Sequence, residues 1–63
     1  MSENKEMKVG ESVVLSVGGT SVTVERRSKD YKAYITGESG KWDHHWDMDG
    51  AVQELKKTYP QEF

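Results

Sequence analysis

Gly18 and Gly19 stand between two runs whose side chains alternate in character. Val13, Leu15 and Val17 take one side of the first run against Val14 and Ser16, and Val22 and Val24 alternate with Thr23 and Glu25 in the second. Two adjacent glycines reach the positive φ angles of a tight two-residue turn, and β-branched residues suit the pleated surface on either side. The chain is therefore committed to an antiparallel hairpin. Sixty-three residues without a cysteine allow one small domain that no disulfide staples. A partner protein or a homodimer interface would help so small a core persist.

A second turn over Ser28-Lys29-Asp30 leads into Tyr31 to Thr36, where Tyr31, Ala33 and Ile35 share one face and Lys32, Tyr34 and Thr36 the other. Gly37-Glu38-Ser39-Gly40 reads as the third turn, and Lys41 to Asp47 as the next strand. A helix follows from Met48 to about Tyr59, with Val52, Leu55 and Tyr59 as its apolar stripe, Ala51 and Met48 beside it, and Pro60 as the stop. Asp47 or Asp49 can cap its N-terminus. The fold class expected is α+β, an antiparallel meander of three or four strands with one C-terminal helix packed on one face. Residues 1–8 read as a poorly ordered polar lead and 9–63 as the domain. The helix is expected to bury against Val13, Leu15, Val22, Val24, Ala33, Ile35 and at least one tryptophan.

The segment Trp42-Asp43-His44-His45-Trp46-Asp47 sorts by strand period into two sets. Trp42, His44 and Trp46 share a face expected to cover the core, with Asp43, His45 and Asp47 toward water. The second set could also be read as metal ligands. Alternate residues on one strand stand roughly 6.5–7 Å apart, however, and converge poorly on one ion. No metal or other cofactor is assigned. The two adjacent histidines point to opposite faces and cannot cooperate, and no nucleophile elbow, phosphate-cradling loop or HExxH spacing occurs, so a non-enzyme is expected.

A net charge of −2 marks neither a polyanion nor a basic nucleic-acid binder. The longest apolar run, Val13-Val14-Leu15, is too short for a membrane span or a signal-peptide core. Cytoplasmic residence, with no membrane contact, fits these features. Spare aromatic area points to a small protein-binding or regulatory module, with Tyr34, His44 and Trp46 as partner-binding residues. The alternative is single-stranded nucleic-acid binding through Arg26, Arg27, Lys29, Tyr31 and Lys32, a basic hairpin with aromatic neighbours that Glu25, Asp30 and Glu38 dilute.

The pattern Tyr31-x-Ala33-x-Ile35, Gly37, Gly40 and Trp42, then Ala51-Val52, Leu55 and Tyr59-Pro60-x-x-Phe63, resembles HicB-like small proteins related to the antitoxins of HicA/HicB pairs. The likeness spans about the last half of the chain. It implies a strand meander carrying a helix and used to bind a partner protein, as an inhibitor- or antitoxin-like module. His45-Trp46-Asp47 replaces the glycine and threonine cap usual before that helix, and Gly50 stands where a glutamate is common. The module expected is one without the operator-binding half of full antitoxins. The meander-plus-helix order also looks like the single-strand-binding fold of PC4-type coactivators, which belongs with the nucleic-acid alternative.

Overall fold

A computed structural model describes residues 7–63. Four strands, β1 (Ser12–Val17), β2 (Thr20–Arg26), β3 (Tyr31–Ile35) and β4 (Glu38–His45), form one antiparallel sheet in the order β1-β2-β3-β4. A helix, α1 (Met48–Thr58), and a short 3-10 turn, Pro60–Glu62, complete the chain. This is the expected α+β meander with all four strands. Gly18 and Gly19, at φ +57° and +85°, make the first turn, so that Val17 pairs with Thr20 across a two-residue loop.

One face of the sheet carries the core. Val22, Val24, Ala33 and Ile35 meet Ala51, Val52 and Leu55 of α1, all buried, with Tyr31 beside them and Leu15, Val17, Met48, Tyr59 and Phe63 at the margin. The helix packs chiefly on β4 and β3. Val13, expected in the core, lies at the sheet's far edge and is 37% exposed. Asp47 is the N-cap, its carboxylate accepting from the Gly50 N–H at 2.6 Å. Asp49 then sits in the positive first turn, and Lys56 and Lys57 in the last. The 3-10 turn is tied to the sheet by Thr20 Oγ1, which donates to the Glu62 carbonyl at 2.5 Å, and by Lys41 Nζ, 2.7 Å from Glu62 Oε2. Of the polar lead, residues 1–6 lie outside the described part. Met7 packs against the core, and the Glu11 N–H closes a turn onto the Lys8 carbonyl at 2.9 Å.

The third turn departs from expectation, and its length reverses the face assignment that follows. A four-residue turn over 37–40 would set Thr36 opposite Lys41 and Ile35 opposite Trp42, with the indole on the core side. Instead Ile35 pairs with Glu38 across two residues, and a shift between Tyr34 and Ile35 sets Tyr34 opposite Trp42, Ala33 opposite Asp43 and Tyr31 opposite His45. The expected pairing differs from the observed one by a single residue. Because side chains alternate, a one-residue slip moves every one of them to the other face. The expectation that Trp42, His44 and Trp46 cover the core is therefore corrected. Trp42 is 40% exposed and Trp46 73%, and no tryptophan belongs to the buried set.

The inward residues are Asp43 and His45, which corrects the expectation that these side chains face water. Asp43 Oδ2 accepts from the Thr58 hydroxyl near the end of α1, and Oδ1 accepts from the His44 N–H at 2.8 Å. The Thr58 hydrogen bond chiefly holds the Asp43 carboxyl below the usual carboxylate range; burial opposes it, and the His44 amide adds a smaller lowering effect. His45 lies against the start of the helix, where a Cβ placed on Gly50 would come within 2.2 Å of His45 Nδ1 and 2.6 Å of Asp47 Oδ1.

Gly50→Ala should consequently destabilise the protein by roughly 1–3 kcal/mol in urea unfolding, although alanine favours a helix by about 1 kcal/mol over glycine. The penalty should shrink in a His45→Ala background, since the imidazole is the nearest obstacle. A stabilising Gly50→Ala in the wild-type background would place His45 elsewhere.

Candidate functional site on the open sheet face

The face of the sheet opposite α1 bears two rows of side chains that cross all four strands. In the first, Val14 pairs with Thr23, Thr23 with Tyr34 and Tyr34 with Trp42. In the second, Ser12 pairs with Glu25, Glu25 with Lys32 and Lys32 with His44. Among the described residues no element covers either row. Val14 is 64% exposed, whereas Thr23 is buried between its neighbours and shares a 2.8 Å hydroxyl contact with Thr36.

Trp42 is the centre of a polar and aromatic cluster. Lys32 Nζ lies 4.8 Å from its ring centroid and 5.8 Å from that of Tyr34, and the Arg27 guanidinium carbon lies 5.8 Å from Trp42. These separations let the cations meet the negative ring faces. His44 tilts against the same indole, with centroids 5.8 Å apart. Arg27 is fixed in turn by Asp30, which accepts from Nε and Nη2 at 2.7 Å each in a bidentate pair. The Arg27 N–H also donates to the Asp30 carbonyl at 2.8 Å, so the β2–β3 turn itself holds the two side chains together.

The Arg27 hydrogen bonds, opposed in part by burial and assisted by His44, lower the Asp30 carboxyl from its ordinary 3.8 to about 2. The same pair raises the Arg27 guanidinium. Asp30 is thus an acceptor at neutral pH, and His44 Nδ1, 2.9 Å from Oδ2, carries the proton between them. Arg27, Asp30 and His44 form a chain that holds charge of both signs beside the indole. Among the described residues no group of three His, Cys, Asp or Glu side chains could hold a metal ion.

The residues singled out from sequence separate in space. Tyr34 and His44 of the partner-binding set, and Arg27 and Lys32 of the basic set, meet on this face. Trp46 follows the end of β4 and has its ring 5.7 Å from His45 rather than beside Trp42. Arg26 and Tyr31 pair across β2 and β3 on the helix side, the guanidinium 5.0 Å from a phenol ring that is only 9% exposed. The Arg26 Nε there is buried without a partner. Lys29 stands exposed in the β2–β3 turn. Sequence reasoning missed Trp42, Val14 and Asp30 as parts of the surface. The alternation of Val14 against Val13 and Leu15 is a signal for Val14, and the three-residue spacing of Arg27 and Asp30 is one for Asp30.

No protein-family model, curated protein or solved structure matches the chain.

Titration of the Asp30 carboxyl, followed by carbon NMR, should give a midpoint near 2. A depressed folded-state value means that the stabilising contact is complete above the ordinary carboxylate pKa and is lost as the pH falls through the folded-state value. In Arg27→Gln the midpoint should move back toward 3.8. A wild-type midpoint already at 3.8 would show that the bidentate pair does not form in solution.

Proposed function

We propose that this chain is a small non-enzymatic binding module, regulatory or inhibitor-like, that holds a partner protein against the open face of its sheet. The observation that carries this reading is the row Val14-Thr23-Tyr34-Trp42, in which the exposed Val14 and Trp42 flank Tyr34 and a buried Thr23 across the four strands. Tyrosine, tryptophan and arginine dominate protein interfaces, and the two aromatics bury large areas with few rotatable bonds while keeping a polar edge. Trp42 and Tyr34 are the anchors. Lys32 and the Arg27–Asp30–His44 chain form a polar margin that sets orientation. The partner expected is a protein surface with an apolar centre and hydrogen-bonding groups of both signs around it. The likeness of the C-terminal half to HicB-like antitoxin domains supports a protein ligand.

A second reading, single-stranded nucleic acid stacked on the same face, is favoured by one feature. Lys32 and Arg27 both lie over the Trp42 ring, the combination of cation and π-surface that holds bases and phosphates. Against it, Asp30 neutralises Arg27, Glu25 stands opposite Lys32, and the chain's net charge is −2.

Trp42→Ala and Tyr34→Ala should each weaken partner binding roughly 30-fold, the equivalent of about 2 kcal/mol at an interface anchor. The melting temperature should change little, since neither ring belongs to the core. Calorimetry against a partner co-purified from cell extract provides the measurement, and labelled oligonucleotides at low and high salt provide the comparison. Undiminished partner binding by the double variant would contradict the assignment. Tight, salt-sensitive oligonucleotide binding that Trp42→Ala abolishes would establish the second reading.

A further inference from the structure

The two edges of the sheet are built differently. On β4 the edge is interrupted by the register shift at Tyr34/Ile35 and carries Lys41, Asp43, His44 and His45, the kinds of feature that keep an exposed strand from pairing with another chain. On β1 the sequence is Ser-Val-Val-Leu-Ser-Val, with no charge, no proline and an unbroken register with β2 from Ser12 to Val17. Val14 and Val13 are exposed there.

Backbone direction on β1 follows from the pairing. The Arg26 N–H donates to the Glu11 carbonyl at 2.9 Å, and the tight Gly18–Gly19 turn is closed by Val17 and Thr20. Hydrogen-bonded pairs alternate along an antiparallel ladder, so Glu11, Val13, Leu15 and Val17 are the residues bonded to β2. The N–H and C=O groups of Ser12, Val14 and Ser16 therefore point away from the sheet. Among the described residues no hydrogen-bond partner meets these donors and acceptors.

We propose that β1 pairs antiparallel with β1 of a second copy of this chain, with Val14 on the two-fold axis. The strand is nearly the same read in either direction about that residue. Val14 meets Val14 of the second copy, Ser12 meets Ser16, and Val13 meets Leu15. Each of the three outward-facing residues then lies opposite another outward-facing residue, which an antiparallel ladder requires. The apolar side chains on the helix side also gain neighbours. A groove of about 510 Å³ runs between β1 and α1, bordered by Leu15, Val17, Met48 and Val52, because the helix sits chiefly over β3 and β4. In the pair, Val13 of the second copy lies beside Leu15 and extends the apolar floor of that groove. The product is an eight-stranded sheet with a closed two-fold arrangement. Its two Trp42–Tyr34 platforms lie on one continuous face, with the paired valines between them.

Sedimentation equilibrium of the full chain, from micromolar to millimolar concentration, tests this. The wild type should approach twice its 7.2 kDa mass. Val14→Pro removes one outward N–H and no bond of the β1–β2 ladder, and should remain at the single-chain mass with an unchanged circular dichroism spectrum. Should that variant unfold, Val14→Lys keeps the backbone donor and sets two ammonium groups across the axis. It should weaken the dimer at least tenfold, less so at high salt. Trp42→Ala should dimerise as the wild type does, which separates this edge from the open-face binding surface. A wild type that stays at 7.2 kDa throughout overturns the proposal and leaves the edge to an extended segment of another protein. A dimer that survives Val14→Lys, or dissolves with Trp42→Ala, overturns it as well.

Discussion

The offset between β3 and β4 is the constraint on which the remaining structure depends. The short turn after Ile35 and the extra residues Ser39, Gly40 and Lys41 together decide which half of β4 meets the helix. With Tyr34 opposite Trp42, the inward positions fall to Asp43 and His45, and these are the residues that α1 uses. Asp43 takes the hydroxyl of Thr58 at one end of the helix, and His45 with Asp47 closes around Gly50 at the other. The helix is thereby held along β4 at both ends by polar contacts, while Leu55, Val52 and Ala51 supply the apolar seam between them. A shift of one residue would set two tryptophans against the helix and leave Asp43 without its partner.

The outward half of β4 then inherits the aromatic and basic groups. Trp42 stands beside Tyr34 and Lys32 because they occupy neighbouring positions on the same pleat. Asp30 brings Arg27 and His44 to the same corner. It does so as a fixed counter-charge, and the result is a face rich in aromatic area yet nearly balanced in charge. Recognition there would rest on shape, stacking and directed hydrogen bonds more than on long-range attraction. The same sheet ends in two contrasting edges. One is irregular and charged, and the other is smooth and apolar.

Much of the architecture is legible in the residues themselves. The glycine pair at 18–19 between β-branched runs specifies the first hairpin, and the stripe of Ala51, Val52 and Leu55 between Asp47 and Pro60 specifies the helix and its ends. What the residues do not disclose is which face of β4 turns inward. Strand period separates Trp42 and His44 from Asp43 and His45 but assigns neither set to the core. That sign comes from loop length, and two glycines, Gly37 and Gly40, make a two-residue and a four-residue turn equally plausible on composition. Hydrophobicity then favours burying the indoles, and tertiary pairing overrides it. Arg26 and Tyr31 illustrate the same limit, since their adjacency to Arg27 and Lys32 in the chain conceals that successive residues leave the strand on opposite sides.

The most direct test of the account is the set of proton–proton Overhauser contacts made by the Trp42 indole in the folded protein. Contacts to the side chains of Lys32 and Tyr34, with none to Val52 or Leu55, are the result it predicts. Contacts from that ring to Val52 or Leu55 would mean that β4 is paired one residue out of step, and would contradict both the inward role of Asp43 and the open-face binding surface.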